Sequence, residues 1–477
     1  MIASAFVPYD TAYPHPNWAE QNPDDWQRAV EDGTRRLFER SGVQPRQIAA
    51  VSFSGHMQGA LLIDAGGRPL RSSIIWADQR ATAQAGRIAE ICGRTQIYER
   101  TGCQVNPAYT AAKLMWIKDN QPDLYRRAHK VLHAKDYAAL ILSGVPATDY
   151  SDASGTQLFD LARRCWADDL IEALDLRPDL FPPAHPSTTV IGQVTNNAAA
   201  ATGLLAGTPV VIGGGDGACA TVGAGAVDPG DAYTCLGSSA WIAVTTPRPL
   251  IDAQQRTFTF AHLDPRLYFA VGTTQSAGSS YGWIERLLRD ETQQTPIYQD
   301  LDRQAAATPA GADGLLFLPH LLGERSPYWN PLARGAFVGL SMPHQRGALA
   351  RAVLEGVAYN MRLILDALRE QGVEIAAMRL IGGGAKSALW RQILADVYDL
   401  PVLSPELAIE ATSLGAALAG GVGVGLYDGF QAARQLIPAR PAAQPIPAHR
   451  ERYQTMYRLY QETYAALKPI FAQLATL

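Results

Sequence analysis

The sequence predicts an α/β protein of two or more domains built around a ligand-binding cleft, and three observations predict it. Short apolar runs alternate with helical patterns along the chain, as strands alternate with helices in α/β proteins. The 477 residues exceed what one core holds, because single cores stop growing near roughly 250–300 residues. Two strand-like runs break into three glycines each: Val210-Val211-Ile212-Gly213-Gly214-Gly215-Asp216-Gly217 and Met378-Arg379-Leu380-Ile381-Gly382-Gly383-Gly384-Ala385. Glycine lets backbone approach a ligand closely, and a helix starting there turns its N–H groups toward an anion. The first run carries a carboxylate and the second does not. Asp216 therefore suits proton transfer and the bare turn suits a nucleotide. Such turns also serve merely to connect elements; two in one chain favour a nucleotide enzyme with a cleft.

In chain order, a helix is predicted over 24–40, a buried strand over 48–54 ending in Gly55, and a hairpin opening at 60–64 before Gly66-Gly67. Helices are predicted over 81–91, 113–120 and 135–143, the last stopped by Gly144. A strand opens at Gly207-Thr208-Pro209, and the small-residue run 218–225 reads as a tightly packed helix. A boundary is expected near Val227-Asp228-Pro229-Gly230, dividing the chain into domains 1–227 and 228–477. Strands 232–236 and 240–245 follow, joined by Gly237-Ser238-Ser239, then helices over 277–290 and 349–371. The segment 450–477 is amphipathic, with Tyr453, Met456, Tyr457 and Tyr460 on its core face.

A net charge of −4 gives no reason to expect nucleic acid or an anionic membrane as partner. The cysteines Cys92, Cys103, Cys165, Cys219 and Cys235 show no metal spacing, and their odd count argues against a disulfide framework. There is no signal-peptide pattern at the start and no apolar run of about 18 residues. A soluble, cytoplasmic protein is expected.

Several segments carry reactive side chains. In Ser54-Gly55-His56-Met57-Gln58-Gly59, three polar or polarisable residues sit between glycines at a strand end, where open α/β sheets bind ligands. A ligand-facing loop is favoured over a satisfied core histidine. Trp76-Ala77-Asp78-Gln79-Arg80 reads equally as a lip over a ligand or as a solvated loop; at i,i+2 its Asp and Arg would not face each other on a helix. Leu318-Pro319-His320-Leu321-Leu322-Gly323-Glu324-Arg325-Ser326-Pro327 reads either as a substrate or inter-domain loop or as a surface loop with a weak neighbouring ion pair.

Taken together, these segments resemble the FGGY family of carbohydrate kinases, and within it the xylulokinase branch. The resemblance runs from Pro14-His15-Pro16-Asn17-Trp18-Ala19-Glu20-Gln21 to the C-terminal helix. One family signature resembles Tyr109 to Asn120, with Ala108 where an aromatic, Met, Gly or Ser is usual. The other resembles Gly335 to Leu340 continuing through Ala352 to Gly356, with Ala348 in place of a polar residue. The resemblance implies two actin-like (ribonuclease H-like) ATPase domains, each a five-stranded mixed sheet flanked by helices, closing on a cleft. It implies ATP with Mg²⁺ as donor, Asp216 as catalytic base and metal neighbour, and His56, Met57, Gln58, Trp76 and Asp78 with Asp216 around the sugar. Gly237, Ser238 and Ser239 would hold phosphates, and Gly382, Gly383, Gly384 and Ala385 the adenosine, with Trp390 and Gln392 structural. A homodimer is expected because the family is often dimeric.

Gln58 stands where the branch commonly has His, and Gly217 where it has Asn. D-xylulose is the first choice of sugar; another ketose, a polyol, a sugar acid or an impaired sugar-binding protein are the alternatives. Family members also begin with a strand, a turn of the type Asp-x-Gly-Thr-x-x-x-Lys and a second strand. Met1 to Val7 resembles the strand after these, so a native chain longer by about 20–25 residues is expected, with a truncated protein as the rival.

Overall fold

Helix α1 (Pro23–Ser41) starts where the Asn22 side chain accepts from the Asp24 amide and stops at Gly42 in the left-handed conformation. The computed structural model describes residues 1–290 and 295–475. Residues 1–7, expected as a strand, form no ladder. Instead the carbonyls of Phe6 and Ser4 accept from Arg36 and Arg40 of α1, at 3.2 and 2.8 Å. Side chains satisfy the acceptors that a neighbouring strand would otherwise take.

The rest of the N-terminal half contains β1 (Ser54–Gly55), β2 (Leu61–Ile63), α2 (Thr82–Cys92), α3 (Thr110–Asn120), β3 (Lys130–Leu132), α4 (Ala134–Ser143), β4 (Pro209–Val211), β5 (Gly214–Gly215) and α5 (Asp216–Gly223). The hairpin expected after β2 is present, closed by the Asp64 amide donating to the Arg68 carbonyl at 2.9 Å. The strand expected over 48–54 shrinks to a bridge at Val51 with Val210 and the parallel pair β1–β5. The ladder breaks at Gly213, whose φ is 69° and whose added Cβ would meet the Phe53 carbonyl oxygen at 2.1 Å. This half is held by two-stranded ladders rather than by the five-stranded sheet the resemblance implies.

The C-terminal half holds β6 (Ala232–Leu236), β7 (Ala240–Thr246), β8 (Phe258–Ala261), β9 (Tyr268–Thr274), α6 (Gly278–Leu288), α7 (Arg346–Glu370), β10 (Met378–Ile381), α8 (Ala388–Tyr398), β11 (Val402–Pro405), α9 (Ala411–Gly423), β12 (Ala439–Ala443) and α10 (Arg450–Leu474). Its mixed sheet has seven strands, two more than implied, in the order β8-β9-β7-β6-β10-β11-β12. Helix α7 buries Ala350, Val353, Val357, Met361 and Ile364, a 3–4 residue period that makes one continuous apolar stripe. Tyr453, Met456 and Tyr460 of α10 are buried as expected, and half-buried Tyr457 donates its hydroxyl to Asp366 at 2.8 Å. Residues 476–477 of that predicted helix lie outside the described residues.

Helix α5 lies backbone to backbone against α9. A Cβ on Gly223 would fall 1.7 Å from the Ala411 carbonyl oxygen, and one on Gly415 2.0 Å from that of Cys219. Glycine at both positions is what permits the approach.

Candidate active site

Asp216 is the first residue of α5, and its Oδ1 accepts from the Gly217 amide at 2.7 Å. Its carboxylate is open to solvent at the floor of a cavity of about 180 Å³, and no basic side chain pairs with it among the described residues. Protein atoms around that floor deprive the charge of water and push the carboxyl up to about 6, against the stabilising amide. The preceding residue is held from below: the Gly215 amide donates to Ser151 Oγ at 2.9 Å, and that hydroxyl donates to Asp149 Oδ2 at 2.6 Å.

Met57, Gln58 and Trp76 line the same cavity from the N-terminal half, and Ser239 from the turn between β6 and β7. The opposite wall is aromatic: Trp241, Phe258, Phe260 and Phe269, with Arg325 among them. Gln58 sits in the left-handed region at φ 68°, a strained conformation for a residue with a side chain. Lys113 holds it there, its fully buried Nζ donating to the Gln58 carbonyl at 2.7 Å and to that of Ala108. Burial pushes the Lys113 ammonium down to about 7, with Asp78 opposing the fall.

His56 and Asp78, expected beside the sugar, are turned away from this cavity. The His56 ring is within 3.1 Å of Gln21 Oε1 and packs edge-on to Trp26, and burial, with His133 and Lys113 nearby, pushes it down to about 4. Asp78 is fully buried, accepting from the Ala19 amide at 2.6 Å and pairing with Arg80 at 2.7 Å. Residues 76–80 form turns rather than a helix, so the Asp and Arg meet after all. The Arg80 guanidinium then stacks 3.7 Å from the Trp18 ring.

A second cavity, of about 750 Å³, opens on the far side of the β6–β7 turn. Gly237 and Ser238 line it, as do Gly383 and Gly384, Tyr281, Asp302 and Trp390. One tight turn thus borders both cavities. Tyr281 and Ser387 donate to the two oxygens of Asp302 at 2.6 and 2.7 Å, and buried Trp390 Nε1 has no acceptor. A Cβ on Gly383 would meet nothing within 4 Å, so backbone is open to a ligand there. Gly382 and Ala385 face a third hollow of about 460 Å³ beyond the turn. Gln392 bonds Asp396 and the Gln444 carbonyl, a structural position.

Two other features carry no comparable chemistry. A hollow of about 850 Å³ between α1 and the 64–71 hairpin has its two arginines already paired, Arg68 with Asp64 and Arg71 with Glu20. His133, Asp136 and Asp152 cluster with metal-like spacing, but Lys135 Nζ lies 3.0 Å from Asp149 and 3.2 Å from Asp152 and supplies the cation itself.

Sequence reasoning passed over Lys113 and the aromatic wall. Both left a signal: a lysine amid Ala111-Ala112 and Leu114-Met115, and the period-2 pair Phe258 and Phe260.

The paired cavities and the mixed sheet define an α/β protein with two neighbouring ligand-sized sites. Residues 1–223 match the N-terminal domain of the FGGY family of carbohydrate kinases and residues 232–424 its C-terminal domain. The chain belongs to this family: it is a sugar kinase, a phosphotransferase, and such kinases use ATP with a divalent metal, typically Mg²⁺. It is 34% identical to a xylulose kinase of Escherichia coli, over 97% of this chain and 94% of the relative. It is 30% identical to a gluconokinase of Bacillus subtilis, over 100% and 93%. The solved structure of a xylulose kinase from Rhodospirillum rubrum superposes with a TM-score of 0.90 at 32% identity, covering 98% of this chain and 94% of that one. Among the described residues no helix is long and apolar enough to cross a membrane.

Proposed function

We propose that the chain transfers the γ-phosphoryl group of ATP to the terminal hydroxyl of an open-chain sugar, with D-xylulose giving D-xylulose 5-phosphate in pentose catabolism. The observation that carries this reading is the β6–β7 turn, with Ser239 on the Asp216 cavity and Gly237 and Ser238 on the larger one. A phosphoryl group passing from one cavity to the other crosses that turn. The lobes would divide near residues 227 and 228, sugar on the first and ATP on the second.

Each residue then has a task. Asp216 accepts the proton as the hydroxyl oxygen bonds to the γ-phosphorus and the bridging P–O bond to ADP breaks. A carboxyl near 6 is ionised at neutral pH yet basic enough to take that proton. Met57, Gln58 and Trp76 hold the sugar, while His56 and Asp78 brace the loops that carry them. Gly237, Ser238 and Ser239 orient the phosphates; Gly383 and Gly384 border the nucleoside, with Gly382 and Ala385 shaping the turn from behind. Mg²⁺, held through the nucleotide with Asp216 as its protein neighbour, would neutralise phosphate charge. Free thiols and the need for ATP fit a cytoplasmic setting.

The test is a coupled ADP-release assay across ketopentoses and pentitols with Mg²⁺ saturating. D-xylulose is expected to give the highest kcat/KM of these. Sugar binding without ADP release from any of them would end the D-xylulose reading and turn the search to other acceptors.

A further inference from the structure

We propose that Lys113 and Thr110 are positioning residues for the sugar, clamping two successive loop carbonyls so that Gln58 stays in a strained conformation with its side-chain amide on the Asp216 cavity. The clamp rests on the reading above, in which Gln58 holds the sugar, and gives that task to two residues that touch no substrate. Thr110 opens α3 and Lys113 follows one turn later. Three residues apart, they share a helix face. From that face Lys113 Nζ donates to the Gln58 carbonyl at 2.7 Å, and Thr110 Oγ1 donates to the next carbonyl, that of Gly59, at 2.9 Å. Both residues are fully buried.

Two local rules oppose a lysine at this position. The start of a helix carries partial positive charge and favours carboxylates over ammonium groups. Burial strips water from the charge, and lysine is almost never fully buried unless it is paired. Yet no carboxylate pairs with Lys113 among the described residues: Asp78, whose charge favours the ammonium, is bound to Arg80 at 2.7 Å instead. The acceptors of Lys113 are two backbone carbonyls, those of Gln58 and Ala108. Local rules broken without an ionic return point to a gain at a functional site, and here the gain falls at Gln58. Its φ of 68° lies where glycine and asparagine are at ease and glutamine is not. Left free, the peptide would relax and carry the side chain off the cavity. Held in place, Gln58 presents an amide that bonds no other group among the described residues, so its donor and its acceptor are both open to sugar hydroxyls.

The experiment is a double-mutant cycle on the full chain: wild type, Lys113→Met, Gln58→Gly and the pair. ADP release gives KM for D-xylulose and for ATP, and titration calorimetry gives the Kd for D-xylulose. Lys113→Met is expected to raise the D-xylulose KM and Kd by about tenfold or more as the strain at Gln58 relaxes, while the KM for ATP stays within about twofold. Gln58→Gly loses the amide but adopts the left-handed conformation without strain, so in that background Lys113→Met is expected to add about twofold or less. Thr110→Val, which removes the second donor at nearly constant shape, is expected to follow the same pattern with a smaller rise, and it carries the cycle if Lys113→Met does not fold. Equal losses in the two backgrounds, or a matching rise in the KM for ATP, overturn the proposal and leave the kinase reading standing. D-xylulose binding without phosphorylation ends that reading, and the Kd values then decide the clamp through the same cycle. Wild type that neither binds nor phosphorylates D-xylulose overturns both.

Discussion

Asp216 yields the sharpest test of the proposed chemistry, because its surroundings raise its carboxyl into the pH range an assay can scan. The carboxyl sits near 6, above its ordinary 3.8, because the protein packed around the open cavity floor takes water from its charge. Only the ionised form accepts a proton, so kcat/KM is expected to rise with a midpoint near 6 and to fall about tenfold for each pH unit below it. Asp216→Asn keeps the shape and removes the base, and should cost 10²–10⁴-fold in kcat, the usual contribution of a positioned base, roughly. The same shift predicts stability with a definite sign. A carboxyl that holds its proton more tightly folded than unfolded makes stability fall as pH rises from about 4 through about 6. Asp216→Asn should therefore melt with wild type at pH 4 and above it at pH 8. ADP release from pH 5 to 8 and thermal melts at the two pH values measure both. Near-wild-type turnover by Asp216→Asn, or an acid limb in its residual activity with the same midpoint, would refute the assignment.

Two further outcomes follow from glycine packing. Gly223→Ala would place a Cβ 1.7 Å from the Ala411 carbonyl oxygen, so α5 must move by about an ångström or more and carry Asp216 with it; a kcat loss on the order of 10²-fold is expected in the same assay. Gly384→Ala would press on Leu236 at 2.8 Å and Trp390 at 3.2 Å, both lining the larger cavity, and is expected to raise the KM for ATP by about tenfold while the sugar KM holds.

Local signals sufficed where one segment decides its own structure. The helices at 24–40 and 135–143 carry their caps in the sequence, and the strands at 232–236 and 240–245 declare themselves by β-branched and apolar runs around a Gly-Ser turn. The side of a turn on which a residue emerges is a different matter. Met57 and Gln58 face the cavity while His56, their neighbour, faces Gln21 and Trp26. Asp78 was unreadable for the same reason: the amide it caps, at Ala19, lies 59 residues away. The family resemblance implies a strand over residues 1–7, yet arginines a helix away take their carbonyls. Long-range partners decide such cases, and a sequence lists them without pairing them.

The glycines before Asp216 work differently from the way their pattern suggests. A Cβ on Gly213 would strike Phe53 at 2.1 Å, on Gly214 Leu263 at 2.3 Å, and on Gly215 Met57 at 2.5 Å. Phe53 backbone requires the first, and the side chains of Leu263 and Met57 press on the other two, so protein packing rather than a ligand accounts for the run. Gly383 of the second run, on the larger cavity, has nothing within 4 Å and is free of any such packing demand. The first run is thus a packing device that drives the start of α5 against Met57, a cavity residue, and so sets how near the carboxylate comes to whatever Met57 touches. Asp216 gains an amide from its own helix and loses water to the walls that the glycines allow to close in. The two effects oppose each other, and their balance leaves a carboxylate ionised at neutral pH without a counter-ion. A side chain at any of the three positions would loosen that closure, return water to the carboxylate, and bring it back toward an ordinary, weaker base.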